Sequence, residues 1–113
     1  MKGSNKVIAE LNGLLAWELA AMDQYFIHAR MYDDWGLQKL FERIDHEFDD
    51  EKGHAAALIE RMLFLEGTPD MTTRPPLQVG KTVPEMLQND LNVELAVDQA
   101  LKDAIKVCES EQD

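Results

Sequence analysis

Glu51 and His54 stand three residues apart. On a helix that spacing puts a carboxylate and an imidazole one turn apart on one face, where both can reach the same cation. The surrounding pattern is helical: Ile44, Glu47, Glu51, His54 and Leu58 step 3-4-3-4, so Glu47, Glu51 and His54 share an apolar seam. Two other segments repeat the arrangement. Leu11, Leu15, Glu18, Met22, Tyr25, Ala29 and Tyr32 step 4-3-4-3-4-3. Val83, Leu87, Asp90, Glu94, Val97 and Leu101 step 4-3-4-3-4. Glu18, Tyr25, Asp90 and Glu94 are therefore expected to face inward along with Glu51 and His54.

A buried carboxylate is costly unless it is paired, protonated or bound to a cation. Each of the three segments places at least one in its seam, and none of the three stripes carries an inward Lys or Arg. A cation from solution is the economical answer. Mixed oxygen and nitrogen ligands suit iron or manganese, and zinc also accepts them. Taken singly, each residue has a plainer explanation. A seam glutamate can reach out to water, a histidine can be a hydrogen-bonded structural group, and a tyrosine can be core. The conjunction across three helices favours the metal.

The elements that must position these groups follow from the same periodicity. The first helix is expected over about 5–35, with Gly36 just past its end. The second is expected over 37–66, on a stripe of Leu37, Leu40, Ile44, Phe48, Ala55, Leu58, Met62 and Leu65, stopped by Gly67 and Pro69. Residues 67–81 carry Gly67, Pro69, Pro75, Pro76 and Gly80 and read as a connector. It is too long for a tight antiparallel hairpin and suits a crossover that leaves the second and third helices parallel. The third helix is expected over 82–110, from a Thr82–Glu85 capping box with Pro84 in its first turn. Its apolar stripe is Val83, Leu87, Leu91, Val97, Leu101, Ile105 and Cys108. Helices of roughly 28–31 residues are about 42–46 Å long and need partners for their apolar faces. The expectation is a single all-α domain over 1–113. Three long helices, a crossover and an abrupt end read as a four-helix bundle without its C-terminal helix, with the uncovered apolar faces an aggregation hazard.

Charge narrows the partners. Eleven basic residues against 22 acidic ones give a formal net charge of −11. That argues against nucleic acid, whose phosphates need a basic face, and is compatible with attracting cations. A single cysteine rules out an internal disulfide. Neither a signal-peptide core nor a run of about 18 apolar residues is present, so no membrane partner and a cytoplasmic location are expected.

Several stretches carry a resemblance. Glu18-Leu19, Gln24-Tyr25-Phe26-Ile27-His28-Ala29-Arg30-Met31-Tyr32 and Trp35-Gly36-Leu37 resemble the first helix of bacterioferritins. His46-Glu47, Glu51-x-x-His54-Ala55, Glu60-Arg61 and Leu63-Phe64-Leu65-Glu66-Gly67-Thr68-Pro69 resemble the second. Val79-Gly80, Met86-Leu87, Asp90-Leu91 and Glu94 resemble the crossover and third helix. The resemblance implies a ferritin-like homo-oligomeric shell of 24 subunits that oxidises Fe(II) with oxygen or peroxide at a di-iron centre and stores the ferric mineral. It implies that Glu18 and His54 are terminal ligands to one iron, Glu94 to the other, and that Glu51 bridges them. It places Tyr25 next to the site, gives His46 and Asp50 an iron on the inner surface of the shell, and lets Glu47 line the way in. Haem-binding relatives use a methionine just after the bridging glutamate. Here that position is Lys52, so haem is not expected in this chain unless a haem-bearing partner subunit supplies it. The relatives' fourth helix carries a second Glu-x-x-His, which nothing after Glu94 matches.

Two alternatives remain at this stage. A helical interaction module would hold a partner helix and no stoichiometric metal. A rubrerythrin-like di-iron peroxidase would share the bundle, although the chain has no Cys-x-x-Cys pair for a rubredoxin domain.

Overall fold

The computed structural model describes residues 2–112. Three helices make up most of it: α1 (Asn5–Asp34), α2 (Gln38–Phe64) and α3 (Val83–Ser110). Ser4 caps α1 by accepting the Val7 N–H at 3.1 Å, and Thr82 caps α3 by accepting the Glu85 N–H at 3.4 Å. At the far end of α1, Gly36 takes φ +76°, and the Leu37 N–H returns to the Tyr32 carbonyl at 2.9 Å. This is the glycine-terminated ending that the sequence suggests. The end of α2 differs in detail. The left-handed residue is Glu66, at φ 61°, while the Gly67 N–H reaches the Met62 carbonyl at 2.8 Å. Gly67 packs against Ile8 instead: a Cβ there would lie 2.5 Å from Ile8 Cδ1, so the end of that side chain would have to shift.

Contacts fix the directions. The Gly3 N–H donates to the Leu65 carbonyl at 2.8 Å, so the start of α1 meets the end of α2 and the two are antiparallel. The crossover then follows α1 along its length. Asn12 binds Thr68 and Asp70, Asp23 pairs with Arg74, Gln24 accepts from the Gln78 N–H, and His28 accepts from the Gly80 N–H. From Asn12 to His28 is about 24 Å of helix. Helix α3 then returns antiparallel to α1, with Asp90 against Gln24 and His28 and Val107 packed on the core cluster that holds Val7 and Leu11. It is therefore parallel to α2, as the connector length suggests.

Helix α1 is the shared element. Both α2 and α3 pack on it, and the backbones of α2 and α3 do not approach each other within 8 Å. This explains why α1 buries residues on several sides, among them Leu14, Leu15, Ala16, Leu19 and Ala20, while the other two bury one narrow stripe each. One core cluster joins Val7, Leu11, Leu15 and Leu19 to Ala55, Met62 and Leu65; a second joins Ala21, Tyr25, Ala29 and Tyr32 to Ile44, Met86 and Val93. The expected stripe of α3 needs correction. Leu87, Leu91, Leu101 and Ile105 are exposed, and the buried positions are Met86, Asp90, Val93 and Ala104. Leu37, at the start of the expected α2 stripe, is exposed as well. The reason is geometric: Met86, Asp90, Val93 and Ala104 form the stripe turned to α1, and the leucine stripe lies one residue round, on the side open toward α2. No described helix is long and apolar enough to cross a membrane.

The second cluster contains a polar flaw. The Tyr32 hydroxyl is buried without a hydrogen-bond partner, and leaving such a group unsatisfied costs about 1–3 kcal/mol. Tyr32→Phe is expected to raise the unfolding free energy by about 1 kcal/mol in urea denaturation. A loss of stability of that size would show that the hydroxyl is satisfied.

Candidate metal centre

Helix α1 brings Glu18 to the centre of the molecule, between the buried Leu15 and Leu19. Helix α2 brings Glu51 opposite it, and both glutamates are only 5% exposed. His54 follows one turn later. Its Nδ1 lies 3.5 Å from Glu18 Oε2 and 3.5 Å from Glu51 Oε2. These ligand atoms all lie within 4.8 Å of one another. Both Oε2 atoms are buried with no hydrogen-bond partner. Two buried, unsatisfied acceptors turned toward one imidazole nitrogen leave a gap of the size and chemistry that a cation fills.

Glu94 of α3 borders the same cleft, a space of about 410 Å³ lined also by Leu14, Leu58, Val97 and Leu101. Its carboxylate accepts a hydrogen bond from the Tyr25 hydroxyl. Two of the inward expectations need adjustment here. The His54 side chain is 62% exposed, and Glu94 is exposed too. Both lie on the side between α2 and α3, where the backbones stand apart, so they edge the cleft from its open side. Glu18, on α1, and Glu51, which faces it from α2, are enclosed.

The electrostatics follow from the enclosure. Burial pushes the Glu51 carboxyl up to about 8, the Glu18 carboxylate beside it adds to the shift, the nearby Glu94 charge adds a little, and His54 opposes it. Burial also raises Glu18, although its contact with Glu51 pulls the other way. Tyr25 is raised far above the usual phenol range by burial and then by its hydrogen bond to Glu94. Without a cation, the pair holds a proton that free carboxyls would have lost.

The remaining candidates lie elsewhere. His46 and Asp50 are both exposed on α2, with Nε2 and Oδ2 3.6 Å apart, and they do not join the Glu18–Glu51–His54 group. Glu47 is half-buried, pairs with Arg43 at 3.6 Å, and lines a second opening with Tyr25, Asp90 and Glu94. Arg43 qualifies the expectation that basic groups are scarce near the seam, since it stands at this opening. Lys52 is exposed. Asp90 is inward as expected, but its role is different: Oδ1 accepts from Gln24 Nε2 at 2.9 Å and meets His28 Nδ1 at 2.8 Å. Gln24 and His28 escaped the sequence reading. The signal for His28 was the spacing Ala21, Tyr25, His28, Tyr32, a 4-3-4 run that shares the face of Tyr25, whereas Gln24 lies outside that run.

Comparison with known proteins agrees with this architecture. Residues 8–113 match the family described as Ferritin-like domain. A "Bacterial ferritin" of Synechocystis sp. is 63% identical over 113 residues, which is the whole of this chain and 72% of that protein. A "Bacterial ferritin" of Paramagnetospirillum magnetotacticum is 62% identical over 109 residues, covering 96% of this chain and 66% of the relative. A "Bacterioferritin" of Brucella melitensis biotype 1 is 39% identical over 109 residues, covering 96% and 68%. Its three long helices and crossover are those of a ferritin-like bundle, and the chain belongs to the ferritin-like family.

Proposed function

We propose that this chain is an iron-storage subunit that oxidises Fe(II) at a two-metal carboxylate site and works within a multi-subunit shell. The observation that carries this reading is the convergence of Glu18 Oε2, Glu51 Oε2 and His54 Nδ1, with both carboxylate oxygens buried and unpartnered. Relatives named bacterial ferritin support iron as the metal. In this reading Glu18 and His54 hold the first ion, Glu51 bridges, and Glu94 takes the second. Anionic oxygen ligands favour the ferric state because they stabilise the higher charge. Two Fe(II) ions supply the two electrons that reduce peroxide to water or oxygen to peroxide. Tyr25 borders the site and steadies Glu94. His46 and Asp50 form an outlying cation stop on the exposed face of α2. Lys52, a hard cation where a thioether would be needed, gives haem iron no ligand.

The experiment that tests the reading is the initial rate of Fe(II) oxidation in the unaltered protein and in Glu51→Ala. The rate is expected to fall roughly 10-fold or more, the scale on which groups tuning a metal site act. Equal rates would sink it.

Proton linkage supplies a second check. A carboxyl raised from 4.5 to about 8 in the folded chain binds more protons folded than unfolded between those values. Stability of the metal-free protein should therefore fall as pH rises from about 4.5 to about 8. A divalent ion replaces the shared proton, so Zn(II) titrated into weakly buffered protein is expected to release about one proton more per first ion near pH 7 than near pH 9. Equal proton release at the two pH values would contradict the assignment of Glu51.

A further inference from the structure

We infer that Asp90, held by His28 and Gln24, is a positioning residue that sets where Glu94 stands. The inference deepens the two-metal reading above and rests on it for its consequence, but its geometry stands independently. Asp90 lies one helical turn before Glu94 on α3. Its Oδ1 takes a bond from Gln24 Nε2 at 2.9 Å and one from His28 Nδ1 at 2.8 Å. All three side chains are buried, His28 completely. The outer ends of the same two α1 side chains hold the crossover. The Gln78 N–H donates to Gln24 Oε1 at 3.1 Å, and the Gly80 N–H donates to His28 Nε2 at 3.1 Å. Because Nε2 is the acceptor, the imidazole proton is on Nδ1 and points at Asp90. Gly80 completes the clasp: a Cβ there would lie 2.7 Å from the Met86 backbone nitrogen, so only glycine lets the crossover close on the first turn of α3.

The clasp matters because it adds buried directional bonds to the apolar packing of Met86 and Val93 on α1 and to the exposed Asn89 bond to the Gln78 carbonyl at 3.1 Å. Its backbone packs on α1 and does not approach α2 within 8 Å. A turn of α3 by about 20° about its own axis would move a side chain about 5–6 Å from that axis by about 2 Å. That is enough to take the Glu94 carboxylate off Tyr25 and away from the cleft that it borders with Glu51. The unpartnered Asp90 Oδ2 shows that the aspartate is tolerated at a cost. The cost is explained if Oδ1 serves as a two-bond pivot.

The test places Asp90→Ala and Asp90→Asn in a Tyr32→Phe background, where Tyr25 is the only tyrosine. With ¹³C-labelled tyrosine, the Cζ shift at neutral pH reports the Tyr25–Glu94 hydrogen bond, and Co(II) absorbance reports the two metal positions. Asparagine keeps an Oδ1 acceptor for both bonds but loses the charge. Asp90→Ala should move the Tyr25 signal to that of a free phenol and weaken the second Co(II) roughly 10-fold or more, leaving the first within about two-fold. Asp90→Asn should restore both. An unchanged Tyr25 signal in Asp90→Ala overturns the inference, as does an asparagine variant that behaves like alanine. Should Asp90→Ala fail to fold, Gln24→Met removes one of the two bonds. It is expected to give a smaller shift in the same direction, and no shift again overturns the inference. Absence of any Co(II) binding by the unaltered protein would count against the metal reading alone, since the Tyr25 signal still decides the clasp.

Discussion

The structure depends on two buried carboxyls that face each other with no lysine or arginine between them and only the edge of His54 nearby. Glu18 and Glu51 come from different helices and are enclosed to the same degree. Left ionised, each would raise the cost of the other, and the cleft holds no lysine or arginine to offset it. The raised Glu51 carboxyl is the metal-free protein's answer: a shared proton substitutes for a cation. The same arrangement prepares the site. Ligand atoms that already converge within 4.8 Å need little reorganisation when an ion enters, so less of the binding energy goes into ordering them.

Such a site needs a rigid reference, and α1 provides it. Glu18 and Tyr25 are two turns apart on its inner face, and the other helices are placed relative to it rather than to each other. The crossover is strapped to α1 from Asn12 to His28, so the path between α2 and α3 is fixed along its length. The separation of Glu51 from Glu94 is therefore transmitted through α1. A small error in how either helix sits on α1 appears in full at the cleft.

Much of this was legible in the sequence because apolar periodicity and turn chemistry are local. The three helices, the Gly36 ending, the Thr82 cap and the inward placement of Glu18, Glu51, Tyr25 and Asp90 could all be read from spacing. What spacing could not supply was which of two adjacent faces of α3 meets a neighbour. A helix with both Met86-Val93-Ala104 and Leu87-Leu91-Leu101 stripes is apolar over a wide arc, and only packing chooses between them. For the same reason His54 and Glu94 edge the cleft instead of lying within it. Gly67 marks the end of α2 as the sequence suggests, but spacing could not tell that Glu66 takes the left-handed conformation while Gly67 lies against Ile8. Asp90 read as one more acid in the seam because its partners, 62 and 66 residues away, are invisible to any local pattern.

The two metal positions of the proposed site are unequal, and that inequality orders their filling. Glu18, Glu51 and His54 converge without help. Glu94 already accepts a hydrogen bond from a tyrosine whose ionisation is strongly disfavoured, so Tyr25 remains a donor at any ordinary pH. A second ion must use the other oxygen of Glu94 or displace that bond. It must also find Glu51 deprotonated, which the first ion brings about. The first cation thus creates the charge that the second one needs. On the proposed reading, a site ordered in this way would hold a lone ion at Glu18 and His54 until a second arrived, and only then would the two electrons that reduce peroxide fully to water be available.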